Sequence, residues 1–188
     1  LLSWDYHVNY ILKKIAQITG VIGSLKCILP TTNMLVYNSI FNSHLNYCQL
    51  VWGTTTFTNL ERIHLMQKRY LRNTYNLPFR HPSAALFCHS RVIKAHNLYK
   101  YRLSVTFKTE IRNNVTNLKN LAELRKKESV YSKRRGEEWT VPTPRLNLGR
   151  ECLQYTLPSL LNRYIHINLN LFSFPCRELH NLFLNNMV

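Results

Sequence analysis

The sequence predicts a mainly α, irregular helical bundle with a small loop-rich C-terminal module, and three observations carry that prediction. Apolar residues from Trp4 to Leu29 recur at three- and four-residue steps. Residues 58–75 divide into one apolar and one basic face. Beyond residue 127, Gly136, Pro142, Pro144 and Gly149 interrupt any long element. At 188 residues with 45% hydrophobic content, the chain can bury one sizeable core, or a main domain with an appendage.

The first helix is expected from a Ser3 cap with Asp5 in its first turn, where a carboxylate suits the macrodipole. Its stripe runs through Trp4, Val8, Ile11, Leu12, Ile15, Ile18, Ile22, Leu25 and Leu29 and is stopped by Pro30. Gly20 and Gly23 mark a kink or a close helix crossing. A second helix, capped by Thr31 or Thr32, runs to about Leu50 with Leu35, Val36, Ile40, Leu45 and Cys48 inward. A third runs from Thr58 to Tyr75. At about 100° per residue it groups Leu60, Ile63, Met66, Gln67, Tyr70 and Leu71 on one side, and Arg62, Lys68, Arg69 and Arg72 opposite. A short helix (Ser83–Ser90) and a longer one (Ala95–Asn113) follow, the latter with two apolar stripes that imply burial on two sides. One or two helical turns fall between Leu121 and Lys127, and a last apolar stretch, Leu169–Leu184, closes the chain as a helix.

Charge narrows the function. The chain carries 25 Lys plus Arg against 9 Asp plus Glu, a net +16. The excess is concentrated: residues 61–128 hold fifteen basic side chains and four Glu. Folding does not need such an excess, which costs self-repulsion, so the composition points to a polyanionic partner. No unbroken apolar run reaches membrane-spanning length, because Lys13, Lys14 and Lys26 interrupt the longest one. The five Cys have no CxxC pair and read as reduced intracellular thiols, mostly core-filling. The expected location is therefore intracellular, in nucleus or cytoplasm. Leu1 opens directly into a helical pattern without an initiator Met, which implies a longer parent chain.

The catalytic inventory is sparse. Asp5 is the only Asp, whereas a two-metal polymerase or nuclease needs at least two converging carboxylates. Glu137 and Glu138 are adjacent and point to opposite sides of an extended segment. No GxGxxG, GxxxxGK or GxSxG motif is present, so no cofactor is expected. Cys88 and His89 are neighbours, which orients them apart. Cys176 and His180 share helical i, i+4 spacing but lack a second pair, so a buried Cys beside a solvated His is the preferred reading and no metal is expected.

Several strings, taken in order, nevertheless look like one family. They are Leu2-Ser3-Trp4 with His7 and Ile11, Lys14-Ile15, Ile22-Gly23, Leu25, and Leu29-Pro30. Ser43-His44-Leu45-Asn46-Tyr47-Cys48, Leu50-Val51-Trp52-Gly53 and Met66-Gln67-Lys68-Arg69 with Leu71-Arg72 come next. Tyr131, Arg134, Pro144-Arg145, Gly149, Tyr155, Pro158 and Asn162 complete the set. Together they resemble the C-terminal end of reverse transcriptases from non-LTR (LINE-type, jockey- or tick-transposon-like) retrotransposons, over nearly the whole chain. The resemblance implies a helical thumb at residues 1–125 that holds a template–primer duplex, then a tail module at 126–188. The palm with its paired aspartates would lie upstream and be a partner of this segment. Leu161 stands where the family often has Trp, and the tail lacks the Cys/His knuckle of some other clades.

The implied ligand is an RNA–DNA hybrid or duplex RNA, gripped through phosphate and sugar without sequence readout. Arg62, Lys68, Arg69 and Arg72 are the leading contacts, against the plainer reading of a solvated face. Lys94, Lys100, Arg102 and Lys108 on the following elements are a competing set. Lys13 and Lys14 read first as solvated lysines and second as backbone contacts. Trp4, Tyr47, Trp52 and Gln67 read as packing or core hydrogen-bonding residues. Arg134, Arg135 and Arg145 either clamp the tail or touch template RNA. The rival function is a stand-alone nucleic-acid-binding or interaction protein derived from a transposon remnant.

The single Asp gives the first testable prediction. In a primer-extension assay with magnesium or manganese the chain should incorporate no nucleotide; incorporation that persists in Asp5→Ala would refute the reading of a missing catalytic centre.

Overall fold

A computed structural model describes residues 3–25, 29–127 and 139–185. It is mainly α-helical, an irregular bundle as the sequence predicts. The chain divides by packing into two compact units, Leu1–Tyr99 and Lys100–Val188. That division falls inside a helix, whereas the boundary drawn from sequence stood at 125/126. Within the described residues the helices are α1 (Asp5–Ser24), α2 (Pro30–Val36), α3 (Asn42–Asn46), α4 (Gln49–Trp52), α5 (Phe57–Thr74), α6 (Ala84–His89), α7 (Ala95–Arg112), α8 (Asn117–Leu121), α9 (Leu153–His166) and α10 (Cys176–Leu184).

In the first unit α1 and α5 pack along their lengths. Asn59 Nδ2 donates to Asp5 Oδ1 at 2.7 Å, Arg62 to Asn9 Oδ1 at 2.7 Å, and Asn73 Nδ2 to the Thr19 carbonyl at 3.1 Å. The partners advance together along both helices, so α1 and α5 run parallel. Gly23 permits the far end of this crossing: a Cβ there would lie 2.7 Å from Asn73 Nδ2. Of the two readings of the Gly pair, the close crossing holds at Gly23, while Gly20 meets nothing.

Val8, Ile11, Ile15 and Ile22 are buried as expected, with Thr19 continuing the stripe. The expected stripe runs too far, because α1 ends at Ser24 and Leu25 and Leu29 are exposed. Ser3 is not the N-cap either. Trp4 holds that position, and Ser3 Oγ instead donates to Asp5 Oδ2 at 2.6 Å.

The second expected helix needs the largest correction. Leu29, not Thr31 or Thr32, is the N-cap, and Pro30 opens α2 at a position where its missing N–H costs nothing. After Val36 the chain makes one π turn, Tyr37–Phe41, before α3. A π turn holds more residues than an α turn, so the inward face advances by four: Asn33, Tyr37, Phe41, Leu45, Gln49. Leu35, Ile40 and Cys48, expected inside, are exposed, and Val36 is half-buried. Cys48 takes a left-handed conformation (φ 48°) between α3 and α4. Trp52 then turns inward and Gly53 follows, where a Cβ would sit 2.4 Å from the Gln49 carbonyl.

Tyr37 stacks on Phe41 at 4.7 Å between centroids, and Tyr70 meets both edge-on at 5.2 and 5.1 Å. Such pairs add about 0.5–1.5 kcal/mol each beyond area burial. Gln67, buried on α5, joins three segments. Its Nε2 donates to Tyr37 Oη at 2.9 Å and to the Ile93 carbonyl at 3.1 Å, and its Oε1 accepts the Ala95 N–H at 2.9 Å. Tyr70 Oη donates to the Asn33 carbonyl at 2.7 Å. On α5 the buried set is Asn59, Ile63, His64, Gln67, Tyr70, Leu71 and Thr74, so Leu60 and Met66 lie at its edge.

In the second unit, Leu103 and Phe107 of α7, Leu118 of α8, Leu157, Leu160, Leu161 and Tyr164 of α9, and Leu179 and Phe183 of α10 are buried. Residues 122–127, expected to be helical, are not, and the final helix begins at Cys176 rather than Leu169. In α7, Tyr101, Val105 and Ile111 are half-buried, while Tyr99 and Ser104 join the buried set. Helix α9 was not expected at all; it continues through Pro158, whose ring is buried. Asn162 accepts the Trp139 N–H at 2.9 Å and donates to its carbonyl at 2.8 Å. Trp139 also forms an isolated antiparallel bridge with Lys126. Cys48, Cys88, Cys152 and Cys176 are exposed, which corrects the expectation that the cysteines fill the core.

The Gln67 network generates a stability prediction. Gln67→Leu strands the Ala95 N–H and the Ile93 carbonyl in the core and should destabilise the chain by about 2–4 kcal/mol. Urea denaturation should show a lower midpoint at unchanged slope, and an unchanged midpoint would show that the amide is dispensable.

Candidate nucleic-acid interface

The ten basic residues singled out by sequence do not form one surface of equivalent side chains. On α5 the four leading candidates fall within one arc, as expected, but they face different neighbours. Arg62 lies on the α1 side, bonded to Asn9 and more weakly to Asn59 Oδ1 at 3.5 Å. Arg69 is two turns further along the same stripe, exposed and without an ion pair among the described residues. Lys13, exposed on α1, is one turn beyond Asn9. In a parallel pair this register sets Lys13, Arg62 and Arg69 along one edge of the α1–α5 seam. Lys14 lies round the helix, its ammonium 5.7 Å from the Tyr10 ring centroid.

Lys68 and Arg72 occupy the opposite flank of α5 and are partly committed. Lys68 pairs with Glu61 at 3.6 Å. Arg72 Nε donates to the His81 carbonyl at 2.9 Å, and its guanidinium lies 5.7 Å from the Phe79 ring centroid. Arg72 thus fastens the turn after α5, a role invisible to a helical wheel.

The competing set is more buried than expected. Lys94 is half-buried ahead of α7. Lys100 is half-buried, and burial, together with the nearby Arg163 charge, pulls its ammonium below the ordinary lysine range. Arg102 is half-buried, and Lys108 donates to the Phe174 carbonyl. A cation spent on a backbone carbonyl is anchored, so Lys108 is less available to a phosphate than an exposed side chain.

Several of the nine carboxylates are engaged within the fold. Asp5 is bonded by Ser3 and Asn59, which hold it below the usual carboxylate range. Glu110 accepts the Leu118 N–H at 2.8 Å, and Glu123 accepts from Gln154 at 3.3 Å. Glu61 pairs with Lys68 at 3.6 Å and hydrogen-bonds the His96 ring at 2.9 Å. Burial raises the Glu61 carboxyl, but the His96 hydrogen bond and the Lys68 charge outweigh it and leave the group lowered.

Beside that pair lies a histidine cluster that periodicity did not reveal. His64 is buried, with its ring 5.2 Å from His96 and 5.1 Å from Phe87. Burial, and then the Lys68 charge, push His64 down to about 4. Neither this cluster nor Cys176 with His180 makes a group of three or more ligands able to hold a metal ion, among the described residues. His180 lies edge-on to Tyr101 at 5.5 Å instead. Trp52 and Gln67 are core residues as expected, whereas Tyr47 is exposed. Arg134, Arg135, Glu137 and Glu138 lie outside the described residues. No helix among the described residues is long and apolar enough to cross a membrane.

Compared with protein-family models, curated proteins and solved structures, the chain matches none of them.

His64 gives a pH prediction with a defined sign. Its folded value lies below its unfolded one, so between about pH 6.5 and 4 the unfolded state binds the extra proton. Stability should therefore fall as pH falls through that window, by about 3 kcal/mol. His64→Gln should flatten that part of the curve, leaving the loss below pH 4.5 that belongs to Asp5 and Glu61. Identical curves for the two proteins would remove His64 as the cause.

Proposed function

We propose that this chain grips an RNA–DNA hybrid or duplex RNA through phosphate contacts, as the thumb-like C-terminal part of a non-LTR retrotransposon reverse transcriptase. The observation that carries the reading is the uncompensated charge: 25 basic against 9 acidic residues, with fifteen of the basic ones in residues 61–128. The acidic side chains whose bonds are described above are engaged within the fold, so a polyanion is the natural counter-charge. The ordered strings from Leu2-Ser3-Trp4 to Asn162 supply the family, and the palm upstream is the partner that would contribute the paired aspartates.

The seam edge of Lys13, Arg62 and Arg69 is the leading part of the grip. It is exposed on two parallel helices, and parallel rods present charges at successive heights, a spacing suited to a phosphate backbone. Lys68 and Arg72 are secondary contacts because each already has an internal partner. Lys94, Lys100, Arg102 and Lys108 come third.

Salt dependence tests this directly. Lys13→Gln with Arg69→Gln should lower the slope of log K against log salt by about 1.4–1.8, since each phosphate contact releases about 0.7–0.9 of a counterion. Helicity should survive, because Gln is nearly as good a helix former and both side chains are exposed. An unchanged slope would move the grip off the α1–α5 seam; absence of salt-dependent binding in the parent chain would overturn the function itself.

A further inference from the structure

The second unit contains a cavity of about 630 Å³, within the range of small-molecule sites. Its wall is apolar and aromatic, with Phe107, Leu161 and Leu171 behind and Trp139 and Phe172 beside the opening. Lys119 and Lys126 also line it, and no Asp or Glu does. Asn168 and Asn170 supply amide groups at the same site. The occupant that matches is a flat, largely apolar body carrying a negative charge and polar edges.

Trp139 is held in place for such a role. Asn162, only 5% exposed, bonds both its N–H and its carbonyl, and the bridge to Lys126 secures it from the other side. These bonds fix the backbone and leave the half-buried indole as a preset stacking surface. The Lys126 ammonium lies 5.8 Å from the indole centroid, so a π-face and a cation adjoin. Phe172 is 53% exposed, with its ring 6.3 Å from that of Phe107. A half-buried indole near an exposed phenyl ring with flanking lysines is an arrangement suited to binding unpaired nucleotides by stacking and phosphate attraction.

We propose that this cavity holds one unstacked nucleotide from the single-stranded end of a bound nucleic acid, its base against Trp139 and Phe172 and its phosphate against Lys119 and Lys126. The proposal rests on the nucleic-acid reading above and adds a preference for ends over continuous duplex. The α1–α5 seam holds a backbone, whereas this cavity selects an unpaired base.

The test uses the full chain with two fluorescent RNA–DNA hybrids of equal duplex length, one blunt and one with a short single-stranded extension. The extended hybrid should bind about 5- to 100-fold more tightly, the range that stacking of one base on an aromatic side chain supplies. Trp139→Ala should erase that difference while leaving the blunt hybrid's affinity and salt slope unchanged, because the Asn162 bonds are to backbone. Trp139→Phe should keep most of it, and Lys119→Gln with Lys126→Gln should reduce it without loss of helicity. Equal binding of the two hybrids by the parent chain, or a difference that survives Trp139→Ala, overturns the cavity and leaves the duplex grip standing. Failure to bind either hybrid overturns both.

Discussion

One buried amide fixes the relation of α5 to its surroundings. Gln67 has one acceptor and two donor hydrogens, and three bonds are made in the core, to the Tyr37 hydroxyl, the Ile93 carbonyl and the Ala95 N–H. Its rotation about α5 is therefore set by geometry as well as by apolar burial. Apolar contact alone tolerates a slide of a few degrees; a satisfied buried amide does not, because each lost bond strands a polar group at about 1–3 kcal/mol. With Gln67 inward, Arg62 and Arg69 fall towards α1, and Lys68 and Arg72 towards the other flank. The basic face is thus a consequence of where one polar side chain is buried.

The α1–α5 seam follows the same logic. Both helices carry apolar stripes, yet the residues along one edge of the contact are Asp5, Asn9, Asn59, Arg62 and Asn73. A polar ladder specifies the parallel register, since a one-turn slip would unpair every rung. It also engages the only Asp, whose two carboxylate oxygens accept from Ser3 and Asn59.

Much of this was legible in the sequence, and the failures have identifiable physical causes. Helices α5, α6 and α7 lie within a residue or two of their expected ends because strong periodicity and turn residues agree there. The stretch from Thr31 to Leu50 misled because helical periodicity assumes 3.6 residues per turn. The π turn at Tyr37–Phe41 shifts the inward face from Leu35 and Ile40 to Tyr37 and Phe41. Helix α9 was hidden by Pro158, although Leu157, Leu160, Leu161 and Tyr164 keep the i, i+3, i+4, i+7 spacing of a buried stripe. The interface was legible as charge but not as geometry: no wheel could show that Arg72 fastens His81 or that Lys108 is tied to Phe174. Trp139 is not legible from its sequence neighbours because it owes its place to Asn162, distant in sequence.

Four carboxylates and several cations are tied into the fold, and other cations are not. Asp5, Glu61, Glu110 and Glu123 each accept hydrogen bonds that join separate segments, so removing one would loosen the fold. Arg69 and Lys13, by contrast, are exposed and make no hydrogen bond or ion pair among the described residues. With 25 basic against 9 acidic residues, internal pairing leaves most of the positive charge unmatched. The repulsion among the basic groups persists in the folded state, and a polyanion of the kind proposed above would gain both its own attraction and the relief of that repulsion. Binding of that kind would depend strongly on salt and weakly on sequence, the physical character of the proposed grip on a phosphate backbone.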